Sequence, residues 1–197
     1  MTRSRLEKQG FANHHRKLLF CLSILAIGSY LVLAPDPSKL SHVAVICVQV
    51  AGSLIIFIGI LGRILATISI GGHKDSTIMK TELYSICRNP LYFASFLIAV
   101  GLGLLSARLD LLLLVIIAYL AIFYPMMRNE AAYLRGNFKE FAEYEKRVPL
   151  FLPNFSLWQQ RQQIEINFSL VKRTLLDASL ALIAIPIMIL AREFLSL

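Results

Sequence analysis

The stretch LYFASFLIAVGLGLLSARLDLLLLVIIAYLAIFYPMM, Leu91–Met127, decides the fold. Its only charges, Arg108 and Asp110, stand close together near the middle. Crossing a bilayer takes about 20 mostly apolar residues, because the hydrocarbon core is about 30 Å thick and a helix rises about 1.5 Å per residue. The stretch therefore reads as two membrane helices, Leu91–Ala107 and Leu109–Met127, closed into a tight hairpin at Arg108. Working outward, three more apolar runs have spanning character: Leu18–Ala34, Val43–Ala66 and Leu175–Ala191. The expected architecture is all-α: a single polytopic membrane domain over residues 1–197 with about five transmembrane helices. Composition agrees, with 57% hydrophobic and 16% charged residues, against about a quarter charged in soluble domains. A chain this small has no interior that could bury five helices apolar on every side.

Charge sets the orientation. Seventeen of the 20 Lys and Arg residues fall in the N-terminal tail, the loop between the second and third runs (with Arg63 counted there), and the segment after the fourth. Only Lys39, Arg108 and Arg192 fall on the other side. The positive-inside rule then places the N-terminus in the cytoplasm and the C-terminus outside, as an odd number of spans requires. The net charge of +8 is explained without nucleic acid. Cys21, Cys47 and Cys87 have neither disulfide nor metal spacing and read as reduced structural thiols. The basic N-terminus leads into a run of full length with no small-residue cleavage site, so it reads as a first helix, not a removed signal. Gly59, Gly62, Gly101 and Gly103 lie inside apolar runs, where glycine permits close helix approach. His14, His15 and His73 are read as solvated. No metal cluster, phosphate loop, nucleotide-binding glycine fingerprint or catalytic triad is visible, and Asp36, Asp110 and Asp177 fall outside the polar segments that could form a site.

Two polar segments on the cytoplasmic side, 71–90 and 128–173, hold most of the ionisable residues. The first contains Tyr84-Ser85-Ile86-Cys87-Arg88-Asn89-Pro90-Leu91-Tyr92. Pro90 suits the first turn of a helix, where its missing N–H costs nothing. Arg88 would stand beside the helix start, whose amides and dipole favour an anion such as a carboxylate or phosphate. Asn89 is either an N-cap or a ligand contact. The plainer reading is a capped helix start with a snorkelling arginine and a tyrosine anchor. The second segment begins Arg128-Asn129-Glu130. Glu130 could accept hydrogen bonds from an ammonium or a ribose diol, or could simply pair with Arg88 or Arg128 at the membrane edge. Tyr133, Phe138, Phe141 and Tyr144 recur at roughly helical spacing, as in an amphipathic helix lying in the interface.

Taken in order, these residues resemble the membrane methyltransferase superfamily that includes isoprenylcysteine carboxyl methyltransferases and phospholipid N-methyltransferases. Tyr84, Arg88, Pro90 and Tyr92 match its first block. Glu130, Leu134, Phe138, Tyr144, Arg147, Val148, Pro149 and Pro153 echo its second, so the resemblance covers about 52–153. Three positions depart from the pattern: Glu82-Leu83 replaces a Gly-Pro, Asn89 a histidine, and Glu130 alone remains of an acidic pair. The resemblance implies S-adenosylmethionine as methyl donor, bound on the cytoplasmic side between the segments. Arg88 and the helix start at Asn89 and Pro90 would face the cofactor carboxylate, and Glu130 its ammonium and ribose. Tyr92 or Tyr144 would pack on the adenine, with Tyr84 beside them. Arg88 and Glu130 are the expected catalytic residues. The acceptor would be lipid-linked or amphiphilic, entering from a bacterial inner membrane or an endoplasmic reticulum membrane. The alternatives are an NADPH-dependent membrane sterol or enone reductase, and a non-catalytic accessory protein of the same fold.

Overall fold

The computed structural model describes residues 40–70, 78–160 and 166–195. The expected first span at 18–34, Cys21 and His73 lie outside these residues. Six α-helices are described: α1 His42–Ile70, α2 Leu83–Ile86, α3 Pro90–Leu105, α4 Leu109–Asn137, α5 Phe141–Arg147 and α6 Phe168–Leu195. One turn of 3₁₀ helix covers Phe155–Leu157. No strand occurs among the described residues. Three helices, α1, α4 and α6, are long and apolar enough to cross a membrane.

α3 is shorter than expected. Its 16 residues span about 24 Å, less than the hydrocarbon core. It stops at Leu105 because Ser106 and Ala107 turn back onto the last helical turn: their amides donate to Gly103 O and Leu104 O, with Ala107 at φ 50°. α4 runs past the expected Met127 to Asn137. About 20 of its residues suffice for the apolar layer, so the last turns, which carry Glu130, project beyond it. Arg63, counted above with loop charge, lies inside α1.

α1, α3 and α6 form the packed centre. Ile56, Ile60, Leu105 and Ala178 are its buried core, with Ile98, Leu102 and Ile185 against them. The close fit of α1 to α3 comes from small residues. A Cβ on Gly52 would stand 2.8 Å from Gly101 O, and one on Gly59 2.8 Å from Ala94 O. The expected role of Gly59 and Gly101 is therefore what the helices show, with Gly52 as an added member. Outward faces stay apolar and uncovered, as at Leu54, Phe57, Ile117 and Ile183. Exposed leucine, isoleucine and phenylalanine in such numbers suit lipid, not water.

Polar ties hold the two ends. At the end holding the α3–α4 turn, Arg108 pairs with Asp110 at 2.8 Å, and Arg192 of α6 donates to Ser106 O. Gln49 Nε2 donates to Leu105 O at 3.4 Å. Nearer the opposite end, the Thr67 and Thr174 hydroxyls meet at 3.0 Å between α1 and α6. That opposite end gathers the C-termini of α1 and α4 and the N-termini of α3 and α6, with α2 and α5 beside them.

Candidate functional site

The two polar segments come together as backbone before they come together as side chains. Glu82 N donates to Gln159 O at 2.7 Å, Arg88 N to Pro149 O at 2.9 Å, and Asn154 N to Ile86 O at 2.8 Å. Asn89 Nδ2 donates to Leu150 O at 2.9 Å, and the Tyr144 hydroxyl to Tyr84 O at 2.6 Å. The 78–90 strap is thus sewn along its length to 144–159. The basic-Val-Pro element at Arg147-Val148-Pro149 has a physical role here: Val148 is buried, and Pro149 supplies the carbonyl that seats Arg88.

Asn89 occupies the N-cap position of α3 and Pro90 its first turn, as expected, but the Asn89 side chain makes no capping hydrogen bond. Its side-chain amide reaches Leu150 O instead, an interlock between the two segments. The amides of Arg88 and Asn89 are also engaged within the chain, by Pro149 O and by Cys87 Sγ at 3.4 Å.

Arg88 does not pair with Glu130. Its Nη1 lies 3.3 Å from Glu145 Oε2, and its guanidinium carbon sits 6.0 Å from the centre of the Phe141 ring. Glu145 is held at the same time by Arg135, at 2.7 and 2.8 Å. Hydrogen bonding to Arg135 first, and the charge of Arg88 after it, hold the Glu145 carboxyl below the usual range. Among the described residues, Arg88 Nε is a buried side-chain atom that makes no hydrogen bond.

Glu130 is exposed on the projecting turns of α4, and its charge acts on Tyr84. Burial first, then Glu130, push the Tyr84 phenol well above its ordinary range. Tyr144, Cys87 and Tyr92 raise the same phenol further. Burial likewise raises Tyr144. It pushes the Cys87 thiol up to about 11, and that thiol donates to Phe151 O at 3.0 Å, so Cys87 is a structural thiol. Tyr92 packs on Phe123, which stacks on Tyr119 with ring centres 4.3 Å apart.

The aromatic series does not form one interfacial helix. α4 ends at Asn137, and Phe138 and the residues after it break the chain before α5. Tyr133 is exposed, but Phe141 and Tyr144 turn inward with Ala131 and Val148. A short helix restarting at Phe141 can bury that face only by docking on the strap. Glu145 escaped the sequence reading. Its signal was present: it lies four residues after the buried Phe141, hence on the same helical face.

Glu82, where the resemblance expects glycine, has φ 54° and ψ −136°. That conformation suits glycine and strains other residues, typically by 1–3 kcal/mol. It is held by Gln159 O on the Glu82 amide, and by the Ser85 amide and hydroxyl on the Glu82 carbonyl. Replacing Glu82 by alanine removes the side chain and keeps the strain, whereas glycine removes both. Glu82→Gly should therefore exceed Glu82→Ala in stability by about 1–2 kcal/mol, read from thermal unfolding in detergent.

The structure is thus an all-helical membrane-type bundle with an arginine at a helix start closed over by a second polar segment. The chain belongs to the phospholipid methyltransferase family, whose model matches residues 42–140. The match opens at the start of α1 and stops before Tyr144 and the Arg147–Pro149 element. The chain is 31% identical over 127 residues to the cobalt-zinc-cadmium resistance protein CzcN of Cupriavidus metallidurans, covering 64% of this chain and 59% of that protein. It is also 31% identical over 127 residues to the nickel-cobalt-cadmium resistance protein NccN of Alcaligenes xylosoxydans xylosoxydans, covering 64% and 60%. The chain thus matches about three fifths of the length of these curated relatives. No solved structure matches it.

Proposed function

We propose that the chain is an S-adenosylmethionine-dependent methyltransferase, similar to the isoprenylcysteine carboxyl methyltransferases, acting on a lipid-linked or amphiphilic acceptor. The observation that carries this reading is the buried Arg88 Nε, which has no protein partner, four residues after Tyr84, whose phenol feels the charge of Glu130. A buried donor left unmade costs about 1–3 kcal/mol, and a ligand carboxylate would recover that. Glu130 supplies the opposite charge for an ammonium or a ribose diol, so the residues fit the cofactor. When bound, the cofactor supplies a methyl group on an already electrophilic sulfonium.

The chain's own contribution is then positioning and dryness. Arg88 is oriented by Glu145 and Phe141, and Tyr144 pins the strap through Tyr84 O. The aromatic wall of Tyr92, Phe123 and Tyr119 keeps water from the membrane side. A carboxylate or thiolate acceptor needs no dedicated base. Our reading keeps five spans, with the N-terminus and the site on the cytoplasmic side of a bacterial inner membrane or the endoplasmic reticulum, and lateral entry of the acceptor from the bilayer. Two relatives carry names of metal-resistance proteins. Among the described residues no group of three His, Cys, Asp or Glu stands ready to hold a metal ion.

The test is calorimetry with S-adenosylhomocysteine on detergent-purified protein. The wild type should bind, and Glu130→Ala should bind at least about tenfold more weakly, as expected for a lost hydrogen bond to a charged group of about 1.5–3 kcal/mol. Absence of binding by folded wild type would overturn the reading. NADPH binding would then identify a reductase, and binding of neither would leave the accessory role.

A further inference from the structure

We infer that Arg63 and Ser95 form a second anion-binding subsite, set at membrane depth, which takes the acid headgroup of the amphiphilic acceptor; this rests on the methyltransferase reading above. Arg63 lies seven residues before the end of α1, about 10 Å in from it, and Ser95 lies five residues into α3, about 7 Å from its start. Both stand at similar depth beneath the Arg88 site. An arginine near a helix end ordinarily extends toward the interface. The Arg63 guanidinium instead crosses between the helices and donates through Nη1 to Ser95 Oγ.

That single neutral acceptor faces a group with five N–H donors and a permanent charge. Among the described residues no carboxylate pairs with Arg63. An arginine within a membrane segment is costly, and characteristically marks a pathway for substrate or ion. Ser95 is held in place beside it: its hydroxyl donates to Leu91 O at 2.8 Å. Hydrogen bonds therefore run from Arg63 through Ser95 to Leu91 O, in the first turn of the helix that starts beside Arg88. Tyr119 donates to Tyr92 O at 2.7 Å, in the same turn. The neighbouring α1 face is open to lipid at Leu61 and Leu65. A carboxylate or phosphate carried on an apolar tail could reach Arg63 from the bilayer.

The experiment titrates a dansylated undecanoic acid and its methyl ester into wild type, Arg63→Gln and Arg63→Lys, in phosphatidylcholine nanodiscs and in dodecyl maltoside. The wild type should bind the acid at least tenfold more tightly than the ester in both. Arg63→Gln should lose that preference and Arg63→Lys keep part of it, with S-adenosylhomocysteine affinity unchanged within twofold in both variants. An acid preference that survives in Arg63→Gln, or is absent from wild type, overturns the subsite. A preference seen only in detergent assigns Arg63 to bulk lipid phosphate and overturns the acceptor role. If wild type binds the acid selectively but not S-adenosylhomocysteine, the anion site stands and the methyltransferase reading fails.

Discussion

Replacing Gly101 by alanine is expected to lower the stability of the detergent-solubilised protein by about 1–3 kcal/mol, the usual range for overpacking a tight core. A Cβ there would stand 2.5 Å from Ile56 Cγ1, 2.6 Å from Gly52 O and 3.0 Å from Ile56 N. The first neighbour is a side chain and can move, but the other two are backbone atoms of α1. Relief requires α1 and α3 to separate, which loosens the Ile56–Leu105 core and tilts the helix that presents Arg88. The loss should appear both as a lower thermal midpoint and as weaker S-adenosylhomocysteine binding. Gly136 is the matched control, because a Cβ there meets nothing within 4 Å. Gly136→Ala should be neutral or stabilising by up to about 1 kcal/mol, the ordinary gain in helix propensity. Equal behaviour of the two variants would refute close backbone approach as the basis of the α1–α3 contact.

Replacing Arg88 by alanine should reduce S-adenosylhomocysteine affinity by about 10–150-fold, which corresponds to losing a charged hydrogen bond of about 1.5–3 kcal/mol. The fold should survive. The Arg88 amide still reaches Pro149 O, and Glu145 keeps both contacts to Arg135, so no buried carboxylate is left bare. The control is Glu145→Gln, which retains Arg88 and its buried Nε but removes the charge that orients it. Its affinity should fall by less, on the order of tenfold or under, because a positioning contact is lost and not the ligand contact itself. Calorimetry with thermal unfolding of each variant separates binding from folding. If Glu145→Gln is the more damaging of the two, Glu145 touches the ligand and Arg88 supports it.

Much of the framework was legible in the residues. Apolar length alone separates the long helices, and Pro90 marks the start of α3 by its missing N–H. The block from Tyr84 to Tyr92 and the later Arg147-Val148-Pro149 together carry the family resemblance. The strap and the closing segment do meet, as their common side of the membrane suggested. The pairing within that meeting was not legible. Arg88 had Glu130, Arg128 and other neighbours as candidate companions in sequence, and proximity along the chain favoured none of them. Glu145 takes it because α5 restarts as a separate short helix whose Phe141 and Tyr144 must be buried, and burying them carries Glu145 inward.

Arg63 shows the same limit. Near the end of an apolar run it counts naturally as loop charge, and only the extension of α1 to Ile70 brings it opposite Ser95. Glu82 is the converse case, where a non-glycine residue holds a glycine-like backbone conformation, which only dihedral angles reveal. By itself, then, the sequence determined an all-helical membrane protein, its long apolar helices and the two segments that carry its polar chemistry, because apolar length and proline placement act locally along the chain. The tertiary structure alone decided which charges meet, which amides are already engaged and that the buried Arg88 Nε has no protein partner, because those depend on helix docking, and docking brings together residues that no local pattern relates.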